Sequence, residues 1–311
     1  MKKILSVLLA LTCLLGLLVA CKPAEHDPAS GEKPSKYSKG LDYEVNGNYC
    51  TITGIGKCKD TEIYIPEEIG GKKVYVIGAK AFEGNTNVTK IWLPDTVDQI
   101  ERRAFKDCTN LKVINIPENV TEIGDQILDG CVLDEFYYYT TSEYMTYMDM
   151  PAAKKIVYGK ESARGCFRDN ETVEEVILLD SVRVISANAF LDCKNLKSIV
   201  LPDSITYIGE WAFSGCDSLT SIIIPDSMET IEELAFGGMG GLISVTIPDS
   251  IKRIERKAFF LCENLTNIVF MGTMEQWKTI SKWHHYNGVG EWNDGLPATV
   301  VHCTDGDVPL N

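Results

Sequence analysis

The sequence predicts a β-dominated α/β repeat solenoid, with parallel strands linked by short helical turns. Three observations carry this. A 23-residue unit recurs, so that Leu196 to Cys216 returns from Leu219 and again from Leu242. Prolines recur at that step within two blocks, Pro94 and Pro117, then Pro202, Pro225 and Pro248. An Ala-Phe pair follows that clock at Ala104-Phe105, Ala189-Phe190, Ala212-Phe213, Ala235-Phe236 and Ala258-Phe259, with Ile127-Leu128 in the remaining slot. One such unit cannot bury its own apolar face, but a stack of equivalent units can.

Each rung opens with alternating apolar residues, such as Ile199 and Leu201, Ile222 and Ile224, or Val245 and Ile247. A period of two predicts a strand. Proline ends it because proline cannot donate the next ladder bond. An Asp-Ser turn and a second apolar pair follow, as in Ile205 and Ile208. The Ala-Phe segment closes the rung and is expected to be helical, with Phe in the core.

The pattern LxxIxIPxSVxxIGxxAFxxC resembles the BspA-like leucine-rich repeat of bacterial surface proteins, over about residues 41 to 303. The resemblance implies a right-handed leucine-rich-repeat superhelix and a binding or adhesion role. It implies no catalytic residues and no cofactor.

At the N-terminus, Lys2 and Lys3 precede an apolar run from Ile4 to Ala20 that resembles a signal peptide. Its end, Leu18-Val19-Ala20-Cys21, is similar to a bacterial lipobox, which implies a lipid on the Cys21 thiol. Residues 21–40 are rich in Pro, Gly, Ser and charge and read as a disordered tether. The body is therefore expected outside the cytoplasm, meeting the membrane through this lipid alone.

Leu41 to Thr53 predicts a capping hairpin within residues 41–62, turning at Asn46-Gly47-Asn48. Cys50 and Cys58 are candidates for a local disulfide, which spacing alone does not establish. Repeats then occupy residues 63–272, the first being five residues longer around Gly70-Gly71. Between residues 132 and 170 the period fails. Leu128 to Phe167 spans 39 residues, one rung plus 16. The intervening text contains Phe136, Tyr137, Tyr138, Tyr139, Tyr144 and Tyr147. Two readings stand: aromatic padding of irregular rungs, which suits the alternating Phe136 and Tyr138, or a contact loop, which suits Tyr137, Tyr139, Tyr144 and Tyr147.

Alternation defines a second candidate surface. With Ile199 and Leu201 inward, Val200 faces out, and so do Trp92, Asn115, Ile177, Ile223, Thr246 and Val269. This row is either a docking track or the ordinary β-branched preference of parallel strands.

The chain ends in a cap from residue 273 to 311. Thr273 with Gln276 forms a capping-box pattern before Trp277 and Ile280, and a strand-like segment runs to Cys303. Cys108, Cys131, Cys193, Cys216 and Cys262 share one slot, so stacking spreads them in a row rather than gathering metal ligands. His284, His285 and Cys303 are weak metal candidates.

The formal charge is −14, and loss of Lys2 and Lys3 with the leader makes it −16. Nucleic acid is disfavoured as a partner, since phosphate binding needs a basic footprint. No phosphate-binding Gly-Lys loop, His-Glu-x-x-His or Gly-x-Ser-x-Gly occurs. The expected function is a lipid-anchored, non-catalytic binding or adhesion module for an extracellular protein or glycan. A structural envelope scaffold or self-associating surface protein is the alternative.

Overall fold

The computed structural model describes residues 36–140, 150–164, 167–282 and 297–310. The chain divides after Tyr37, and the repeats belong to the second unit, Ser38–Asn311.

Each rung contributes one strand to a first ladder. Its N-terminal sheet holds seven strands, in spatial order from Glu62–Tyr64 through Lys90–Trp92, Val113–Ile116, Leu133–Tyr138, Ala153–Tyr158 and Glu175–Leu178 to Ser198–Val200. Every pairing there is parallel. A second first-ladder sheet runs from Ser221–Ile223 through Ser244–Ile247 and Asn267–Phe270 to Val300–Cys303, and closes with antiparallel Gly306–Pro309. Two-residue strands such as Val184–Ile185 and Tyr207–Ile208 form the second ladder, where the second apolar pair of each rung turns inward.

The third side differs from expectation. The Ala-Phe segments are consecutive turns rather than helix, and among the described residues Met274–Thr279 is the α-helix that forms. The reason lies in backbone sign. The residue before each Ala-Phe pair has positive φ, including Lys80 at 62°, Asn188 at 60°, Trp211 at 59° and Lys257 at 55°. A second left-handed residue follows two after the Phe, as Asp107, Asp192, Gly215, Gly238 or Leu261. Left-handed residues interrupt a right-handed helix, and the freed amides bond to the next rung instead. Thus Asn188, Phe190 and Asp192 donate to Glu210 O, Ala212 O and Ser214 O at 3.0, 2.8 and 2.8 Å.

The core is a set of columns. Phe167, Phe190, Phe213, Phe236 and Phe259 stack with successive centroid separations of 4.6, 5.1, 5.6 and 5.5 Å. Each is fully buried. The turn serines join rung to rung: Ser204 and Ser250 donate to Val182 O and Met228 O at 2.6 and 2.7 Å.

The irregular region is not a simple loop insertion. Leu133–Tyr138 and Ala153–Tyr158 continue the first ladder, so the outward residues Asn115, Tyr137, Val157 and Ile177 step by 22, 20 and 20 residues. Phe136 and Tyr138 are core, and Tyr138 stacks on Tyr158 at 5.5 Å. Residues 141–149, with Tyr144 and Tyr147, lie outside the described residues.

Both ends match their signals. The hairpin Asp42–Asn46 with Tyr49–Gly54 turns through Gly47-Asn48, with Gly47 at φ 64°, one residue later than an Asn-Gly centre. The five extra residues of the first rung make a second small hairpin, Glu68–Ile69 against Lys72–Ile77, whose turn glycines Gly70 and Gly71 both have positive φ. At the other end Gln276 N donates to Thr273 Oγ1 at 3.2 Å and Thr273 N to Gln276 Oε1 at 2.8 Å. This capping box sets Trp277 against Phe270, ring centroids 5.2 Å apart.

One step is irregular where the sequence is most regular. Ser198–Val200 does not pair with Ser221–Ile223, and Tyr207–Ile208 does not pair with Thr230–Ile231. The turn side stays joined there, with Phe213 N donating to Ala235 O at 2.8 Å.

Two outcomes are expected from this packing. Phe213→Ala should lower unfolding stability by about 3–5 kcal/mol in urea titration, because it cuts a continuous column. Native-state hydrogen exchange should be faster at Thr220, Ser221, Glu229 and Glu232 than at Ile243, Ser244, Lys252 and Glu255. The latter donate to the preceding rung and the former do not. Equal protection of the two sets would mean the step is closed.

Candidate functional site

The strongest candidate is the outer face of the first ladder, whose residues the core does not consume. Strand register places Tyr64 beside Trp92, Asn115 beside Tyr137, then Val157, Ile177 and Val200. Beyond the interrupted step the row resumes with Ile223, Thr246, Val269 and His302. The alternation rule therefore sets this row correctly, but it missed four members. Tyr64 was readable between Ile63 and Ile65. His302 sits in the final strand, beyond the last repeat. Tyr137 and Val157 escaped because the 23-residue step fails around them.

The N-terminal half of this face is aromatic. Trp92 meets Tyr137 edge-on, centroids 5.5 Å apart at 71°, and Tyr137 lies 6.3 Å from Tyr139. The Lys90 ammonium sits 5.2 Å from the Tyr64 ring centre and 5.6 Å from that of Trp92. Carboxylates hold the phenols: Tyr137 Oη donates to Glu135 Oε2 at 2.6 Å and Tyr64 Oη to Glu62 Oε2 at 3.2 Å. Tyr137 keeps only 8% of its surface, so it props Trp92 more than it presents itself. Tyr64, Trp92 and Tyr139 are half-buried and offer ring surface. Asn115 is no contact residue: its side-chain amide accepts from Leu93 N at 2.7 Å and donates to Leu93 O at 2.9 Å, extending the ladder sideways.

The C-terminal half of the row is aliphatic. Val200 and Ile223 are 40% and 50% exposed, whereas Ile177 and Thr246 are half-buried. Serines and an amide flank them, with Asn267 Nδ2 donating to Ser244 Oγ at 3.0 Å.

The cysteines take structural places. Cys50 and Cys58 are free thiols, so the suggested disulfide is not formed. Cys50 points into the core from the inner face of its strand and reaches Ile69 O at 3.6 Å, while Cys58 sits in the turn beyond. In the repeats each thiol donates to the Phe carbonyl of the rung before. Cys108, Cys193, Cys216 and Cys262 reach Phe82, Phe167, Phe190 and Phe236 O at 3.0, 2.9, 3.1 and 3.0 Å. Burial pushes the Cys108 and Cys262 thiols up to about 12 and Cys131 to about 11. Such thiols are poor nucleophiles and poor ligands. Among the described residues no group of three His, Cys, Asp or Glu converges as a metal site. His284, His285 and Cys21 lie outside the described residues. The turn carboxylates Asp95, Glu118, Asp203, Asp226 and Asp249 are all exposed.

The thiol column makes a pH prediction. In the unfolded chain these thiols ionise near 9.0, and in the folded chain near 12. Their contribution is fully present below pH 9 and is lost as pH rises toward 12. The urea midpoint should accordingly fall between pH 8 and pH 10.5 by more than in a Cys108→Ala/Cys262→Ala variant. Native thiol labelling at pH 8 should reach Cys58 and Cys303 well before the buried column.

No curated protein matches the chain. A leucine-rich repeat protein from Bacteroides ovatus is 21% identical, with a TM-score of 0.41, over 76% of this chain and 71% of its own. A leucine rich cell surface protein from Faecalibacterium prausnitzii A2-165 is 23% identical, with a TM-score of 0.34, over 81% of this chain and 98% of its own. The pneumococcal vaccine antigen PcpA is 17% identical, with a TM-score of 0.34, over 88% of this chain and 98% of its own. No enzyme family is indicated. The BspA type leucine rich repeat region matches in six copies over residues 57–148 and 160–285, and the chain belongs to that family.

Proposed function

We propose that this chain is a cell-surface binding or adhesion module, held at the membrane by a lipid on Cys21, that engages an extracellular protein or glycan without catalysis. The observation that carries the reading is the aromatic group Tyr64, Trp92 and Tyr139 on the outer face of the first ladder. Large rings placed away from the core give the fold little, and half-buried aromatics with polar neighbours are what interface centres use. The leader and lipobox pattern supports the address. No helix among the described residues is long and apolar enough to cross a membrane.

Two tests separate anchoring from binding. Cys21→Ser should move the protein from the membrane fraction to the soluble extracytoplasmic fraction; retention in the membrane would remove the lipid from the account. The Cys21→Ser chain should then show saturable binding in a screen of immobilised matrix proteins, mucins and glycans. Trp92→Ala with Tyr64→Ala should weaken a hit about tenfold or more while leaving the urea midpoint nearly unchanged. Binding untouched by these changes, and by Tyr144→Ala with Tyr147→Ala, would place the site elsewhere.

A second reading, self-association, has one observation in its favour. The edge strand Asp42–Asn46 is exposed throughout, with Tyr43 and Val45 at 44% and 55%. Light scattering that stays monomeric at high concentration would dispose of it.

A further inference from the structure

The two ends of the stack are finished differently. At the C-terminal end the helix Met274–Thr279 sets a buried Trp277 against Phe270, and the closing strand Gly306–Pro309 ends in a residue with no amide to offer. At the N-terminal end the closing strand Asp42–Asn46 runs past the core it is aligned with. Its register sets Tyr43 opposite Ile52 and Val45 opposite Cys50, both fully buried. Directly opposed residues of an antiparallel pair share a face, so Tyr43 and Val45 continue the core-facing row. They are bare nevertheless, 44% and 55% exposed. On the other face of the same sheet Tyr75 is also exposed, with the Tyr49 ring 6.0 Å from it.

Two further observations say what this end meets. The body begins at Ser38, on the same end, where Ser38 N donates to Tyr64 O at 2.9 Å and Tyr64 N to Ser38 Oγ at 3.2 Å. Cys21 precedes Ser38 by 17 residues, a reach of at most about 60 Å. The first ladder is itself about 50 Å long from Glu62–Tyr64 to Val300–Cys303. A chain anchored at Cys21 therefore keeps its N-terminal end nearest the bilayer. Charge acts in the same direction. Residues 38–90 hold seven lysines and seven carboxylates, whereas residues 91–311 hold 18 basic and 34 acidic side chains. Lying flat would press that acid against anionic lipid; standing on the neutral end does not.

We propose that the N-terminal end of the stack is a membrane-seating surface, with Tyr43 and Val45 entering the interfacial layer of the bilayer that carries Cys21. The proposal rests on the lipid-anchor reading and adds a protein contact to it. Tyrosine suits a headgroup layer because its ring is apolar and its tip polar. Lys39 and Lys57 are exposed on this end, held close by Lys57 N donating to Gly40 O at 2.8 Å, and their long stems reach lipid phosphates. Such a seat is weak alone, and the tether makes it effective by holding it at high local concentration. A second copy fits the strand less well: antiparallel pairing that sets Tyr43 on Val45 also sets Glu44 on Glu44. Seating leaves the aromatic face around Trp92 upright and open to the medium.

The test places the anchored full chain and its Tyr43→Ser/Val45→Ser variant in phosphatidylcholine vesicles, with the corresponding Cys21→Ser chains in solution as references. Hydrogen exchange at Asp42–Asn46 should slow severalfold on anchoring in the parent and not in the variant. Exchange at Gly306–Pro309 should be the same throughout. Energy transfer from a dye on Asn311 to a dye in the vesicle surface should be low in the parent and rise in the variant, whose body is free to tilt. The urea midpoints of the two soluble chains should agree, since both substituted residues are exposed. A chain retained through Cys21 with no slowing at Asp42–Asn46 overturns the seating and leaves the anchor standing. A chain that the vesicles do not retain fails the anchor and overturns both. Slowing that appears in the soluble chain on raising its concentration, with a dimer in light scattering, makes a second copy the occupant and overturns the seating equally.

Discussion

Everything in this molecule depends on parallel hydrogen bonding between successive rungs. When Ile177 is fixed beside Val200 and Val176 beside Ile199, each inward slot must sit on its own counterpart. A side chain is then judged by how it stacks on a copy of itself. Phenylalanine meets that demand with rings nearly parallel, 2° between Phe190 and Phe213. Cysteine meets it with a small body and one weak donor, aimed at the Phe carbonyl of the rung before, which also accepts from the Cys N–H of its own rung. Serine meets it in the turn with a hydroxyl that reaches the rung before. The repeat is thus a stacking condition written 23 residues at a time.

The same condition explains why the third side abandons the helix. A helical turn bonds its amides to its own chain and leaves nothing for the next rung. Alternate left-handed residues release every second amide outward, so Phe190 N reaches Ala212 O while Ala189 N stays local, on Ser186 O at 3.2 Å. That arrangement places bulky residues such as Trp211 and Leu261 at positive φ, at a cost of about 1–2 kcal/mol each. The ladder bonds and column contacts of the whole rung outweigh such a term.

What could be read in the sequence divides along these lines. Strand, proline stop, capping box and inward Phe are local patterns, and each was legible from its own residues. The left-handed turns were not, because Lys80, Arg103 and Leu234 carry no propensity for positive φ, and only the neighbouring rung imposes it. The irregular rungs were half legible. Phe136 and Tyr138 showed strand alternation, but steps of 22 and 20 residues destroyed the register that would have put Tyr137 and Val157 in the outward row. The Cys50–Cys58 pairing failed for a simpler reason: spacing says nothing of direction, and Cys50 points inward. The row containing Trp92, Val200 and Ile223 was legible because alternation along a strand is a geometric rule with no tertiary competitor.

Function in a stack of this kind falls to positions that the stacking condition leaves unspecified. Inward slots are constrained by the neighbours above and below; outward slots are constrained only by sheet propensity. Tryptophan at position 92 is therefore informative in a way that Phe213 is not, because β-branched residues satisfy the same slot at Val157 and Ile177. The interrupted step extends this logic to the backbone. Its two rungs carry the repeat as faithfully as any in the chain, so no weak residue accounts for the lost pairing. The columns carry that level without the ladders: Phe213 N still reaches Ala235 O at 2.8 Å, and the Phe213 and Phe236 rings stay stacked 5.6 Å apart.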